Sequence, residues 1–274
     1  MSWSLTSIPP EKAAFGEILS RATSMPVLDA KDLITVEPDH VYVIPPNYEM
    51  TISNGVLRLN HSDEPRSVRT TIDTFLRSLA TDQGPNAVGV VLSGTASDGT
   101  VGLAAIKGEG GITFAQDSSA KYDGMPASAI AAGCVDLVLP PEGIAKELVR
   151  MAQHPYVLGA TLPMEVDGTG RAAQLSQIFS LLRRATRVDF SEYKPPTIGR
   201  RVARRMALHK IEQLSEYIKL LQRDRMELDA LYQDLLINVT SFFRDTAAFE
   251  SLKSVMEYLA EERVDAAVQI FGTT

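Results

Sequence analysis

The rhythm of apolar and polar positions changes past the middle of the chain, and the change predicts two domains. In residues 1–153 short apolar runs alternate with stretches of helical spacing. Ala14, Phe15, Ile18 and Leu19 fall on one face of a helix predicted over Pro10–Arg21. Strands are predicted at Leu33–Val36 and Val41–Ile44. Met50–Ile52 and Val56–Leu59 flank Asn54-Gly55, a pair suited to a tight hairpin because both central residues of a type I′ turn need positive φ. Helix Thr71–Ala80, the apolar run Ala87–Leu92, a glycine-bearing loop and helix Gly99–Lys107 follow. The alternation continues through strand Ile112–Ala115, helix Ala127–Ala132, strand Val135–Leu139 and helix Glu142–Ala152, which starts behind Pro140-Pro141. Strands joined by helices imply right-handed βαβ units and a doubly wound, mainly parallel α/β sheet.

Residues 154–170 hold two prolines and three glycines without periodicity and read as a linker. Beyond it the pattern turns helical, with helices near 171–185, 197–209, 213–223, 226–237 and 246–260, and one strand at Ala266–Phe271. The expected order is an α/β domain over 1–153, a linker, a small all-α domain over 171–263, and over 264–274 the first strand of a further domain.

Charge changes this picture in one place. Residues 183–210 carry nine Lys/Arg against Asp189 and Glu192, so this +7 segment sits in a chain of net charge −7. A basic patch on an acidic protein suits an acidic partner or a solvated helix face. It carries no nucleic-acid reader motif, which argues against that class. One cysteine, Cys134, excludes a disulfide framework and a cysteine-rich metal site. Neither a signal peptide nor an apolar run of about 20 residues is present, so a cytoplasmic protein without membrane insertion is expected.

The first chemical signal is SGTASDG, Ser93–Gly99, where a strand hands over to a helix. Ligands of open α/β sheets bind at the carboxyl ends of strands. Taken locally, Asp98 suits an N-cap of the following helix or the acid of a Ser-His-Asp triad. The longer pattern includes Pro45-Pro46-Asn47, Ser93-Gly94, Asp98-Gly99, Ala115-Gln116-Asp117 and Gly124-Met125-Pro126. Over about Ile8 to Ala152 it resembles the catalytic domain of the CheB protein-glutamate methylesterases. The resemblance implies a doubly wound α/β domain that removes methyl esters from receptor glutamates, with Asp98 as the triad aspartate.

The departures matter as much. The family's serine lies in a GASTGG-like turn, and no such turn occurs in residues 1–92. The family's Gln-His dipeptide falls on Thr6 and Ser7 here, and Ala96 replaces the usual loop glycine. His40, His61, His154 and His209 are all expected at the surface. A nucleophile needs a base within hydrogen-bond reach, so no meaningful esterase activity is expected, and an unrelated hydrolase built on Ser93 lacks a base equally. A domain without its first strand–helix unit is also expected to expose apolar sheet surface.

The second signal lies in the helical half. Arg200, Arg201, Arg204 and Arg205 fall on a helix from Thr197 to Leu208, opposite Ile198, Val202 and Met206. NVTSFFRD interleaves Asn238, Thr240 and Arg244 with Phe242 and Phe243, a pattern that suits a turn on two buried rings or polar groups presented to a ligand. DFSEYKPPTIGRRVARRMALH and LLINVTSFFRDTAAFESL resemble the N-terminal part of the CheR receptor methyltransferases, over about Ile178 to Leu259. The resemblance implies S-adenosylmethionine as cofactor, with Asn238, Thr240 and Arg244 lining its pocket. It also implies Arg200, Arg201, Arg204 and Arg205 as the set facing the cytoplasmic helices of methyl-accepting receptors. The chain ends at VQIFGTT, with a single glycine after the predicted strand, so appreciable cofactor binding is not expected.

Both halves together resemble CheB-CheR hybrid proteins. The expectation is a truncated receptor-modification protein, inactive as given; the alternative is a non-enzymatic receptor-docking module using the basic helix 197–208.

Overall fold

A computed structural model of the chain describes residues 3–5, 13–62, 70–152, 168–190 and 195–236. Two three-stranded parallel sheets and one antiparallel sheet make up the first half. β1 (Trp3–Leu5), β4 (Val41–Val43) and β2 (Val27–Asp29) run in the order β1-β4-β2, all parallel. The hairpin β5 (Tyr48–Ser53) and β6 (Val56–His61) pairs Ser53 opposite Val56, which leaves Asn54 and Gly55 as a two-residue turn at φ 52° and 71°. Those positive values are what the Asn-Gly pair predicts. β3 (Ile34–Thr35) adds to the free side of β6.

The third sheet positions the site. β7 (Val88–Val91), β8 (Ile112–Gln116) and β9 (Leu137–Leu139) are parallel in the order β7-β8-β9, and every residue of β8 is buried. α1 (Ala13–Ala22) precedes β2; α2 (Thr71–Gln83) precedes β7; α3 (Thr100–Glu109), α4 (Gly124–Ala131) and α5 (Pro141–Ala152) follow β7, β8 and β9. α2 and α3 approach so closely that a Cβ on Gly102 would lie 2.5 Å from Leu76 Cβ. Their buried faces join Met50, Ile52 and Leu57 of the hairpin in one core with Phe75, Leu76, Leu103 and Ile106. Ile112 and Phe114, two apart on β8 and so on one face of the sheet, pack against Ile144, Leu148 and Met151 of α5.

The second half is helical: α6 (Gly168–Thr186), α7 (Pro195–Leu208), α8 (Leu214–Arg223) and α9 (Arg225–Leu236). α6 begins inside the segment read as linker. Ile178, Leu182, Phe190, Ile198, Val202, Met206, Tyr217, Ile218 and Leu231 form the core of this half. Ile198, Val202 and Met206 thus face inward as their spacing predicts. The expected helix 246–260 and strand Ala266–Phe271 lie outside the described residues. No helix among the described residues is long and apolar enough to cross a membrane.

Candidate active site

The loop Ser93–Gly99 leaves the carboxyl end of β7 and is zipped to the segment before α4. Gly94 N–H donates to Tyr122 O at 2.8 Å, and Met125 N–H donates to Gly94 O at 3.0 Å. Tyr122 N–H donates to Ser93 Oγ at 2.9 Å, and that hydroxyl in turn lies 3.2 Å from Tyr122 O. Gln116 Oε1 accepts Ser93 N–H at 2.9 Å. Two glycines permit the approach: a Cβ on Gly94 would lie 2.2 Å from Met125 S, and one on Gly124 would lie 3.0 Å from Ala96 O. The pairs Ser93-Gly94 and Gly124-Met125, far apart in sequence, are therefore halves of one joint. Ala96 sits at φ 68°, in the left-handed region, which for a residue with a Cβ costs about 1–2 kcal/mol.

Asp98 caps a helix, though not the one that follows it. Its Oδ2 accepts Ile72 N–H at 3.0 Å and its Oδ1 accepts Asp73 N–H at 2.9 Å, the first turn of α2. The N-cap position of α3 is Gly99, at φ 96°, with no side-chain cap. Asp73 returns the contact: its Oδ1 accepts Gly102 N–H at 2.7 Å, in the first turn of α3. The two helices exchange caps across their N-termini, each carboxylate sitting where the macrodipole favours negative charge. Burial of Asp73, with the nearby Asp98 charge adding to it, raises its pKa, while the bond from Gly102 N–H opposes the rise. Sequence reasoning passed over Asp73, although an acid in the first turn of a helix is the signal for such a role.

The arrangement fixes a carboxylate at the mouth of the sheet, and no histidine among the described residues bonds to it. The described histidines make their contacts elsewhere. His40 Nδ1 lies 2.8 Å from Pro38 O, His61 meets the Tyr48 ring edge-on at 5.2 Å, and His209 Nε2 lies 2.5 Å from Glu227. His61 and His209 are exposed, as expected of surface residues, and His40 is half-buried. Thr6, Ser7 and His154 lie outside the described residues, as do Asn238, Thr240 and Arg244.

The four arginines of α7 do not share an outward face. Arg200 is exposed. Arg201 is buried and donates to Lys107 O and Gly108 O, carbonyls at the C-terminal end of α3. Arg204 is fully buried: it donates to Gly111 O at 3.0 Å and to Asp234 Oδ2 at 2.6 Å, and it pairs with Asp136. Asp136 also takes Lys107 at 3.4 Å and the Thr113 N–H and hydroxyl, each at 3.0 Å. Burial of Asp136 opposes its ionisation, yet the Arg204 and Lys107 charges outweigh burial and lower its pKa. Arg205 pairs with Glu227, which His209 and Tyr217 also engage. Burial of Glu227 works against charge, but those hydrogen bonds and the Arg205 charge lower its pKa to about 2.

α7 is thus buried on two sides. Its large apolar residues fill the helical core, while Ala203 and Ala207 let it settle against Ile112, Phe114 and Leu148 of the first half. Arg150 of α5 donates to Ala207 O at 3.0 Å, and Lys210 reaches Glu147 at 2.6 Å, closing the same seam. The sequence offered little sign of this, because alanines and arginines read as a solvated face.

Comparison with known proteins follows these two halves. The family of the CheB methylesterase matches residues 6–148, and that of the all-alpha domain of the CheR methyltransferase matches residues 173–236. A 104.1 kDa protein of Rhodobacter capsulatus is 38% identical over 93% of this chain and 29% of its own length. The protein-glutamate methylesterase/protein-glutamine glutaminase of Bdellovibrio bacteriovorus is 36% identical over 51% of this chain and 41% of its own. The crystal structure of the Thermotoga maritima CheB methylesterase catalytic domain aligns with a TM-score of 0.50 and 28% identity, covering 55% of this chain and 82% of that one. The chain spans less than half the length of either curated relative.

Proposed function

The chain belongs to the CheB methylesterase family, and we propose that it is part of a bacterial chemotaxis protein that joins a receptor-demethylating half to a receptor-methylating half. On this reading its partners are the cytoplasmic helices of methyl-accepting receptors, and it works in the cytoplasm. We expect the 274 residues by themselves to release no methanol from methylated receptors and to transfer no methyl group.

One observation carries the esterase half of that statement. Each carboxylate oxygen of Asp98 accepts one backbone N–H, from Ile72 and Asp73, and keeps a further lone pair. Among the described residues no histidine bonds to Asp98. A triad aspartate acts only by orienting an imidazole and stabilising its charge; without that partner Asp98 holds two helices together. S-adenosylmethionine, when bound, supplies a methyl group to a carboxylate, and Asn238, Thr240 and Arg244 would line part of its pocket. We expect those three positions by themselves to hold it only feebly.

The test is methanol release from carboxyl-methylated receptor membranes incubated with the purified chain. Release equal to a no-protein control is expected. Release above the control that disappears in Asp98→Asn refutes the reading. The alternative, docking through the basic helix 197–208, gains no support from α7, since Arg201 and Arg204 face the seam and Arg205 pairs with Glu227.

A further inference from the structure

The charged groups that cross the seam share a feature: each has a partner on its own side as well. Asp136 meets Arg204 of the helical half, but Lys107 of its own half stands 3.4 Å away and Thr113 supplies two donors. Arg204 in turn keeps Asp234, on α9 of its own half, at 2.6 Å. Glu147 takes Lys210 across the seam at 2.6 Å and Arg150 of its own helix at 2.7 Å. Lys210 has a side chain 60% exposed, so water already reaches it. The carbonyls follow the same pattern. Ala207 O, which accepts from Arg150, also takes Lys210 N–H at 3.3 Å, and Lys107 O, which accepts from Arg201, also takes Gly110 N–H at 3.1 Å.

The apolar part of the seam is small. From α7 it consists of Ala203 and Ala207, with Leu208 at its margin. Ile198, Val202 and Met206 belong to the separate core of the helical half. On the other side Ile112 and Phe114 keep Ile144, Leu148 and Met151 of α5 over them. Contacts of this kind, polar and set between cores that are each complete, are those across which the parts of a chain move. We infer that the seam is a latch: it opens with both halves still folded, and α7 leaves with the helical half. Parting returns Arg204 and Asp136 to water, which recovers the dehydration cost that offsets much of a buried pair's attraction. The bridge therefore resists parting far less than it resists loss of one partner. Closed, the latch keeps Arg201 and Arg204 from solvent; open, it presents both. The inference rests on the geometry of the seam and is independent of the proposed function.

Thiol accessibility in the whole chain tests it. Ala207→Cys places a thiol in the seam, and Met206→Cys places one beside it in sequence but in the helical core. Cys134, buried in the core of the first half, reports on that half in every variant. Alkylation by iodoacetamide is followed at each site by peptide mass mapping, relative to the same site in the urea-unfolded chain. The seam thiol is expected to react at least about 100-fold faster than the other two, equivalent to about 2.7 kcal/mol. Low urea should hardly change its rate and should speed the two core sites, because only global unfolding exposes a large surface. Lys210→Glu, which turns the pair with Glu147 into a repulsion, is expected to speed the seam thiol about threefold and leave the core sites alone. Equal protection at the three sites overturns the proposal, as does a urea dependence at Ala207→Cys as steep as at Met206→Cys. Fraying of the end of α7 would expose Met206→Cys and Ala207→Cys together, which also counts against the latch. Faster reaction at Met206→Cys than at Ala207→Cys overturns it too, because α7 would then part from the helical half. Ala203→Cys, on the seam side of α7, repeats the measurement if Ala207→Cys does not fold.

Discussion

Replacing Arg204 by methionine removes the cation at the centre of the seam while keeping much of its bulk. Arg204 holds three acceptors: Gly111 O, Asp234 and Asp136. Its loss leaves Asp136 and Asp234, whose side chains are 1% and 3% exposed, buried without their main counter-charge. Breaking a buried ion pair from one side typically costs about 3–5 kcal/mol, mostly the penalty of the stranded partner. Here each carboxylate keeps a second cation nearby, Lys107 at 3.4 Å for Asp136 and the Arg205 charge for Asp234. The lower end, about 3 kcal/mol, is therefore expected. At about 2–4 °C per kcal/mol for a chain of this size, Tm should fall by roughly 6–12 °C. Arg200→Ala, at an exposed site, should stay within about 0.5 kcal/mol of wild type. The defect also has a pH signature. Arg204 is the leading influence that lowers the Asp136 pKa against burial. Without it burial raises that pKa, so acid neutralises the stranded carboxylate and the deficit relative to wild type shrinks. Differential scanning calorimetry of both variants at pH 7 and about pH 4.5 reads both effects. A Tm for Arg204→Met within about 1 °C of wild type, or a deficit that grows in acid, refutes the buried bridge and would put Arg204 back at the surface.

Two further outcomes follow from the caps and from the Glu227 cluster. Asp98→Ala orphans Ile72 and Asp73 N–H at the start of α2, where Thr70 supplies no side-chain cap; loss of about 1–2 kcal/mol in urea unfolding is expected, with roughly half that for Asp98→Asn, which keeps one acceptor oxygen. No loss in either variant would show that Asp98 does not cap α2. Glu227 has its pKa lowered to about 2 by its bonding partners despite burial, so its contribution is complete above its unfolded pKa near 4.5 and disappears as pH falls through about 2. Glu227→Gln should therefore reduce proton uptake on acid unfolding by about one, read from the slope of stability against pH; an unchanged slope below pH 4.5 contradicts the assignment.

Most long elements were legible because each carries one uninterrupted signal. The hairpin announced itself through Asn54-Gly55, and α8 and α9 through apolar spacing that the structure buries at Leu214, Ile218, Leu221, Leu228 and Leu231. β1 (Trp-Ser-Leu) and β2 (Val-Leu-Asp) escaped because each breaks its apolar run with a polar residue, whereas the equally short β4 and β9 are apolar throughout. The seam escaped for a different reason. A helix buried on two sides should look apolar all round, yet α7 presents Arg201, Ala203, Arg204 and Ala207 to the first half. Small residues admit the sheet, and the arginines find carbonyls and carboxylates only once the two halves are together. No window of one helix contains Gly111 or Asp136, so spacing alone could not distinguish a docking face from a buried one.

The same reasoning sharpens what Asp98 says about function. A loop that serves only a triad would owe its shape to contacts with the triad's other members. This loop is held from three directions that owe nothing to catalysis. Asp98 binds the first turn of α2, Asp73 binds the first turn of α3, and Gly94 and Gly124 bring the loop against Met125 and Ala96. Each contact satisfies backbone groups at the start of α2 or α3, or packs the loop against the start of α4. Ser93, Gly94 and Asp98 of SGTASDG thus make contacts that serve the fold whether or not ester hydrolysis occurs. Its presence identifies the family without certifying the activity. What separates the two is the esterase assay on Asp98→Asn set against its stability: a change in Tm with no methanol release in either protein is the signature of a structural aspartate.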